Sequence, residues 1–295
     1  MTISKYTVFQ TIIELGSLTK AAEKLCMTQS GVSHAIASLE TEFGFSVLIR
    51  DRKGVNLTSN GERILPYIRE TIKAEEHLRQ QVAAIRGLEA GTVRIGTITS
   101  VSSQWLPPII KQFRLEHPAL EVHLLEGDYD EINHWLASGA VDFGFLSLPT
   151  ASQYEVLPLV KDKMLCILPP GHVLGRQDKI SFAQIAAEDF IMPKWGSYGD
   201  VRRILQENKV QPKIKYEAAE DQTIIAMVRN GLGISILPEM VLVYGRDQIC
   251  TVDLAKEAYR TIGIAGLSLK NLSPAAKKFL QDIQSWLACQ GLLIE

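Results

Sequence analysis

Apolar residues recur at helical spacing through the first part of the chain. Tyr6, Phe9 and Ile13 mark one face of a helix that Gly16 closes. Ser17 is a good N-cap for a second helix, whose buried side is Leu18, Ala21, Ala22 and Leu25. Thr28 opens a third, in which Val32, Ile36, Leu39 and Phe43 recur at i, i+4, i+7 and i+11 before Gly44. The apolar run Val47–Ile49, the basic segment Arg50-Asp51-Arg52-Lys53-Gly54 and the run Val55–Leu57 predict a hairpin with a basic tip.

From Ser59 to Arg86 the pattern predicts one long helix. Positions 64, 68, 71, 75, 78, 82 and 85 follow coiled-coil spacing; Ile64, Ile68, Leu78, Val82 and Ile85 are apolar, while Thr71 and Glu75 interrupt the seam. Pro66 is expected to bend the first turns. A narrow stripe of this kind fits pairing with a second copy better than packing on the chain's own C-terminal part, two-fold oligomers being common.

After Gly91 the texture changes to β-rich runs alternating with helical ones. Thr92–Gly96 reads as a strand entering a Ser/Thr-rich loop, Ile98–Gln104, and a helix from Trp105 to Leu115 follows. Leu120–Leu124 alternates as a strand, Tyr129–Ala137 reads as a helix, and Val141–Leu146 as a buried strand. The helix–Gly–strand order recurs at Thr223–Arg229, Gly231 and Leu232–Leu237, which predicts two similarly built α/β lobes. Ala275–Leu287 is a further amphipathic helix.

Composition narrows the class. The chain has 295 residues, 46% hydrophobic and 22% charged, with a net charge of −2, so any basic surface is local. Cys26, Cys166, Cys250 and Cys289 show no CxxC pair, which argues against a disulfide framework or zinc ribbon. Cys26, on a buried helix, and Cys166, in an apolar strand, read as small hydrophobes. No apolar signal core opens the sequence, and the most apolar stretch, Gly231 to Val243, is broken by Pro238 and Glu239. A reduced, cytoplasmic protein with no membrane partner is expected.

The second and third helices, joined by Cys26-Met27-Thr28, have the dimensions of a helix-turn-helix. In that motif the start of the second helix enters the major groove, and its outward residues here are Gln29, Ser30, Ser33 and His34. Gln can bond adenine bidentately, Ser can reach either strand, and His can donate to guanine or phosphate. The free N–H groups at Thr28 to Ser30 offer a phosphate site. Arg50, Arg52 and Lys53 on the hairpin would act as a wing tracking phosphates or the minor groove. A plain three-helix bundle with a solvated polar face accommodates any one of these residues, but not the helix spacing together with the basic wing.

Leu18-Thr-Lys-Ala-Ala-Glu-Lys-Leu25, Thr28-Gln-Ser-Gly-Val-Ser33, Ile36, Leu39-Glu40, Leu57-Thr58 with Gly61, and Gly231-Leu-Gly-Ile with Leu237-Pro238 form an ordered set along essentially the whole chain. With these motifs the sequence resembles the LysR-type transcriptional regulators. The resemblance implies a winged helix-turn-helix over residues 1–58, a dimerising linker helix over 59–90, and a two-lobed α/β effector domain over 91–295 that resembles periplasmic solute-binding proteins. Lobe I would take about 91–161 and 267–295, lobe II about 162–266. It also implies homodimers assembling to homotetramers on double-stranded promoter DNA, and a small-molecule effector between the lobes. Leu48, Ser30 and His34 stand where Phe, Pro and Arg are frequent in the family, which leaves the operator sequence open.

Ligands of two-lobed α/β domains sit where strand ends and helix starts face the crevice. The candidates are Ser100, Ser102 and Ser103 on one side, and Ser147 with Ser197 and Tyr198 on the other, regions where the resemblance also places effector contacts. Each Ser has N-capping as its plainer role. Neutral donors with Lys194 as the only nearby cation suit one carboxylate or other oxyanion.

Enzyme-like signals are weak. Ser17-Leu-Thr-Lys20 matches S-x-x-K without its companion motifs, and Gly231-Leu-Gly233 precedes a strand rather than a helix. The six His show no ligand spacing such as H-x-x-x-H. No catalytic residue, metal or cofactor is expected. The leading expectation is a ligand-responsive DNA-binding regulator; the alternatives are a cytoplasmic solute-binding module or a small-substrate enzyme carrying a helical appendage.

Overall fold

The computed structural model describes residues 4–51, 54–85, 90–194, 198–243 and 245–294, with only the backbone of residues 50, 51 and 84. The chain divides into two compact units, residues 1–91 with 137–140, and 92–136 with 141–295.

In the first unit, α1 (Lys5–Leu15), α2 (Leu18–Lys24) and α3 (Gln29–Phe43) are each opened by the side chain of the preceding residue. Ser4, Ser17 and Thr28 accept from the backbone N–H of Thr7, Lys20 and Gly31, satisfying donors that the helices cannot pair internally. Gly16 and Gly44 close α1 and α3 in the left-handed conformation that glycine adopts without a Cβ penalty. The hairpin forms as β1 (Leu48–Asp51) antiparallel to β2 (Gly54–Leu57). Its tip, Arg52 and Lys53, lies outside the described residues. Glu40 braces the hairpin on α3, its Oε1 accepting from the backbone N–H of Val47 and of Leu48.

The long helix α4 (Ser59–Ile85) does not carry a single uniform seam. Leu65 and Ile68 are buried in the core of α1, α2 and α3, and Ile64 and Ile72 pack against it. Leu78, Val82 and Ile85 are 64%, 46% and 85% exposed. The first turns of α4 therefore belong to the helical core, and only the far half leaves its apolar stripe bare. Cys26 also departs from expectation: α2 has ended, and Cys26 is an exposed turn residue at φ 53° rather than a buried helical one.

The second unit begins with β3 (Gly91–Thr97), α5 (Thr99–Gln104), α6 (Leu106–Glu116), β4 (Leu120–Glu126), α7 (Tyr129–Ala137) and β5 (Phe143–Leu148). It continues with β6 (Glu155–Leu168), β7 (Lys179–Ile180), α8 (Phe182–Ala187), β8 (Asp189–Pro193), α9 (Tyr198–Glu207) and β9 (Lys213–Ala218). The chain then forms α10 (Asp221–Arg229), β10 (Ser235–Pro238), β11 (Cys250–Leu254), β12 (Tyr259–Gly266) and α11 (Pro274–Cys289). Strands run β4-β3-β5-β12-β6-β11-β7 in one sheet, β10 also pairs β6, and β8 and β9 form a parallel pair.

β6 joins the two lobes. Its residues 155–163 pair with β12, and residues 164–168 pair with β10 and β11. One apolar core lies under β3, β5 and β12 with α6 and α11, and two others lie on the far half of β6. Four local expectations shift here. The Ser/Thr segment after β3 is the helix α5 rather than a loop; Ser147 lies within β5 rather than beyond it; and Tyr198 starts α9 rather than preceding it. The predicted strand at Leu232 starts at Ser235, because Gly231 and Gly233 turn the chain at φ 75° and 153° first. Among the described residues, no helix is long and apolar enough to cross a membrane.

Candidate functional site

The first surface is the start of α3. Val32, Ile36 and Leu39 are buried on one side, so the 3.6-residue period leaves Thr28, Gln29, Ser30 and His34 exposed and Ser33 half-buried. The Thr28 hydroxyl is 3.0 Å from the Gly31 N–H and 3.1 Å from Ser30 Oγ, so this first turn is set while Gln29 and His34 project into solvent. Sequence reading stopped at His34, but Ser38, one turn later, is exposed on the same face. Arg50 holds the end of β1 by its backbone. The structure thus brings together Thr28, Gln29, Ser30, Ser33 and His34; the side chains of Arg50, Arg52 and Lys53 lie outside what it describes.

The second is a cleft of 610 Å³ in the second unit. Thr99, Ser100 and Ser103 of α5 line it, with Glu126 at the end of β4, Gly127–Tyr129 leading into α7, Ala219–Gln222 at the start of α10, and Arg260 of β12. Arg260 is the residue that sequence reading missed. Its side chain is 3% exposed and lies opposite Asp162 in the β12–β6 register. Nε and Nη2 lie 2.8 and 2.7 Å from Asp162 Oδ2, Nη2 donates to Ser100 Oγ at 2.9 Å, and Nη1 donates to the Tyr129 hydroxyl at 3.3 Å. Asp162 Oδ1 accepts the Met240 N–H at 3.1 Å, which ties both lobes to one buried ion pair. Burial opposes the charge on Arg260, but Tyr129, Asp162 and Asp200 more than offset it and hold its pKa above the ordinary value. Burial also raises the Asp162 pKa, and Arg260 counters that.

A second branch of this network runs to α9. Tyr129 donates to Asp200 Oδ2 at 3.5 Å, and Ser147 donates to Asp200 Oδ1 at 2.8 Å. Burial pushes the Tyr129 phenol up to about 12, with Arg260 opposing and Asp200 assisting, so the phenol stays a neutral donor. Asp200 itself is buried in the first turn of α9, where the helix dipole favours an acid, and Arg203 Nη2 lies 3.6 Å away. An oxyanion expected beside Ser147 and Tyr198 would find that place taken by the protein's own carboxylate.

The six effector candidates therefore separate. Ser100 and Ser103 line the cleft. The Ser102 hydroxyl is committed to Glu126 Oε2 at 2.6 Å, and Ser147 to Asp200, and neither lines the cavity. The Tyr198 hydroxyl accepts from Arg202 at 3.1 Å, outside the cleft. Ser197 lies outside the described residues. Lys194 does not line the cleft; the cation there is Arg260. No local signal announces the Arg260–Asp162 pair, since its members stand 98 residues apart. The fold also gathers Glu116, His117 and Asp282, ligating atoms within 4.8 Å of one another, a juxtaposition that His spacing does not reveal; Lys278 Nζ shares this corner, 3.4 Å from His117 Nδ1. Cys166, fully buried with its thiol pKa pushed up by burial, is the small hydrophobe expected.

Comparison with known proteins finds relatives for both parts of the chain. A family described as the bacterial regulatory helix-turn-helix protein, lysR family, matches residues 3–62, and the LysR substrate binding domain matches residues 86–288. The HTH-type transcriptional regulator YvbU of Bacillus subtilis is 37% identical over 284 residues, covering 95% of this chain and 97% of its own. The probable HTH-type transcriptional regulator LrrA of Synechococcus elongatus is 31% identical over 286 residues, covering 96% and 97%. A full-length OxyR variant from Pseudomonas aeruginosa shares the fold at a TM-score of 0.80 and 21% identity, covering 100% of this chain and 98% of that one. The chain belongs to the LysR family, DNA-binding transcriptional regulators rather than enzymes, with a helix-turn-helix at its N-terminus and an effector-binding domain behind it.

Proposed function

We propose that the chain binds a two-fold symmetric promoter site through α3, with Gln29, Ser33 and His34 at base edges and Thr28 and Ser30 at a phosphate. Arg50, Arg52 and Lys53 would track the backbone as a wing, adding affinity without sequence choice. The observation that carries this reading is the exposed, capped first turn of α3 with Gln29 and His34 free of the core. A homodimer through the bare half of α4, assembling further to a tetramer, would present two such helices to successive half-sites. A small effector would enter the cleft with a carboxylate or other oxyanion toward Ser100, Ser103 and Arg260, and would alter promoter binding through its preference for one arrangement of the protein over another. Of the six serine and tyrosine candidates, this reading keeps Ser100 and Ser103, because these two line the cleft whereas Ser102, Ser147 and Tyr198 do not.

The test compares two variants on the promoter fragment selected by the wild-type protein. Gln29→Ala should lose about 1–3 kcal/mol at the selected site and flatten preference at one base pair. Arg52→Ala should weaken all sequences alike and reduce the salt slope. Wild-type affinity and specificity in Gln29→Ala would show that α3 is not the reading helix.

A further inference from the structure

The charge around the cleft is the opposite of what a simple anion needs. Glu126, Asp128, Glu131, Glu220 and Asp221 line it, against one guanidinium, Arg260. That guanidinium is already paired with Asp162. Depth separates the two signs: Arg260 is buried at the floor, whereas Glu126, Glu131 and Glu220 are exposed and Asp128 and Asp221 half-buried. Among the described residues, Glu126, Asp128, Glu131 and Glu220 form no ion pair, so their charge is not neutralised by the protein. Several of these carboxylates have structural work. Glu126 accepts from Thr99 and Ser102, while Asp128 and Glu131 exchange backbone bonds at the start of α7. Glu220 has none. It occupies the N-cap position of α10 without capping it, and among the described residues its side chain has no hydrogen bond or ion pair.

Resting on the effector reading of this cleft, we infer that its ligand is a zwitterion. The oxyanion end lies against Ser100, Ser103 and Arg260, and an ammonium or guanidinium end meets the carboxylates at the mouth, with Glu220 as the residue that selects the positive charge. A dicarboxylate of the same size would bring its second charge against that acidic rim, where like charges repel. An amine without an acid would forgo the bonds that an oxyanion makes at the floor of the cleft. The cleft volume of 610 Å³ is ample for an amino acid or a similarly small zwitterion.

The experiment uses the full chain, wild type and Glu220→Gln, in thermal-shift plates followed by calorimetry. The probes are the standard α-amino acids with ω-amino and guanidino acids, the matching decarboxylated amines, the matching α-hydroxy acids, and a set of dicarboxylates and inorganic oxyanions. Stabilisation is expected from one or more zwitterions and from neither matched single-charge partner, since only ligands of the folded state raise stability. Glu220→Gln should melt like wild type without ligand and bind that zwitterion roughly tenfold or more weakly, the scale of one bond to a charged group. Glu126→Gln, measured alongside, should also weaken it. A hydroxy acid or dicarboxylate that binds as well as any amino acid would overturn the inference while leaving the effector reading intact. A zwitterion whose affinity is unchanged in both variants would overturn it as well. Silence across every probe class would count against both.

Discussion

Arg260→Met removes the positive half of a pair whose side chains are 3% and 2% exposed. Methionine fills much of the same volume, so the loss is electrostatic and polar rather than steric. Asp162 would keep only the Met240 N–H as a donor, and Ser100 Oγ and the Tyr129 hydroxyl would lose their guanidinium contacts. Leaving one member of a buried pair unpaired costs about 3–5 kcal/mol. For a domain of this size that is a fall of roughly 6–20 °C in Tm, at 2–4 °C per kcal/mol. The assay is urea unfolding followed by tryptophan fluorescence, because Trp105, Trp135 and Trp286 fall in the second unit. Adding Asp162→Asn to Arg260→Met removes the orphaned charge and should recover about half of the loss. Lys213→Met, which breaks an exposed ion pair with Asp189, should leave the midpoint unmoved. A cost below about 1 kcal/mol for Arg260→Met, the range of surface pairs, would refute the reasoning. So would a double variant no more stable than the single one.

Three other outcomes are expected. Leu78→Asp with Val82→Asp should lower the mass seen by light scattering, because the bare stripe of α4 is proposed as the dimer seam; an unchanged mass would place that seam elsewhere. Gly61→Ala should cost about 1–3 kcal/mol or more in chemical denaturation, since a Cβ there would lie 2.2 Å from the Val47 carbonyl oxygen; equal midpoints would disprove the clash. Burial, with Glu116 adding to it, raises the Asp282 pKa above its ordinary 3.8, so the wild type loses stability as pH rises through the folded value. Asp282→Asn should therefore melt higher than wild type at pH 7, the gap closing below about pH 4; a lower melting point at neutral pH would reverse the sign.

The helix-turn-helix was legible because what builds it is local. Ser17 and Thr28 cap helices within three residues of themselves, Gly16 and Gly44 end them, and Val32, Ile36 and Leu39 define a face by spacing alone. Once that face is fixed, Gln29 and His34 must project outward, since a helix has no other side to give them. The alternation of strands and helices after Gly91 likewise announced a two-lobed α/β unit, because buried strands and amphipathic helices differ in period. The long helix was legible as a helix but not in its partners. Ile64 and Ile68 share a heptad register with Leu78 and Val82, and only the packing of α1, α2 and α3 shows which half is already covered. The cleft was the least legible. Its Ser residues were visible as candidates, but a hydroxyl one bond from Asp200 or Glu126 is spent, and nothing near Ser147 or Ser102 in sequence says so. Arg260 meets Asp162 because β12 returns antiparallel to β6, a pairing set by sheet order across 98 residues. Caps and periods are properties of neighbours along the chain. The charge of a cavity is a property of neighbours in space, and only the tertiary structure assembled those.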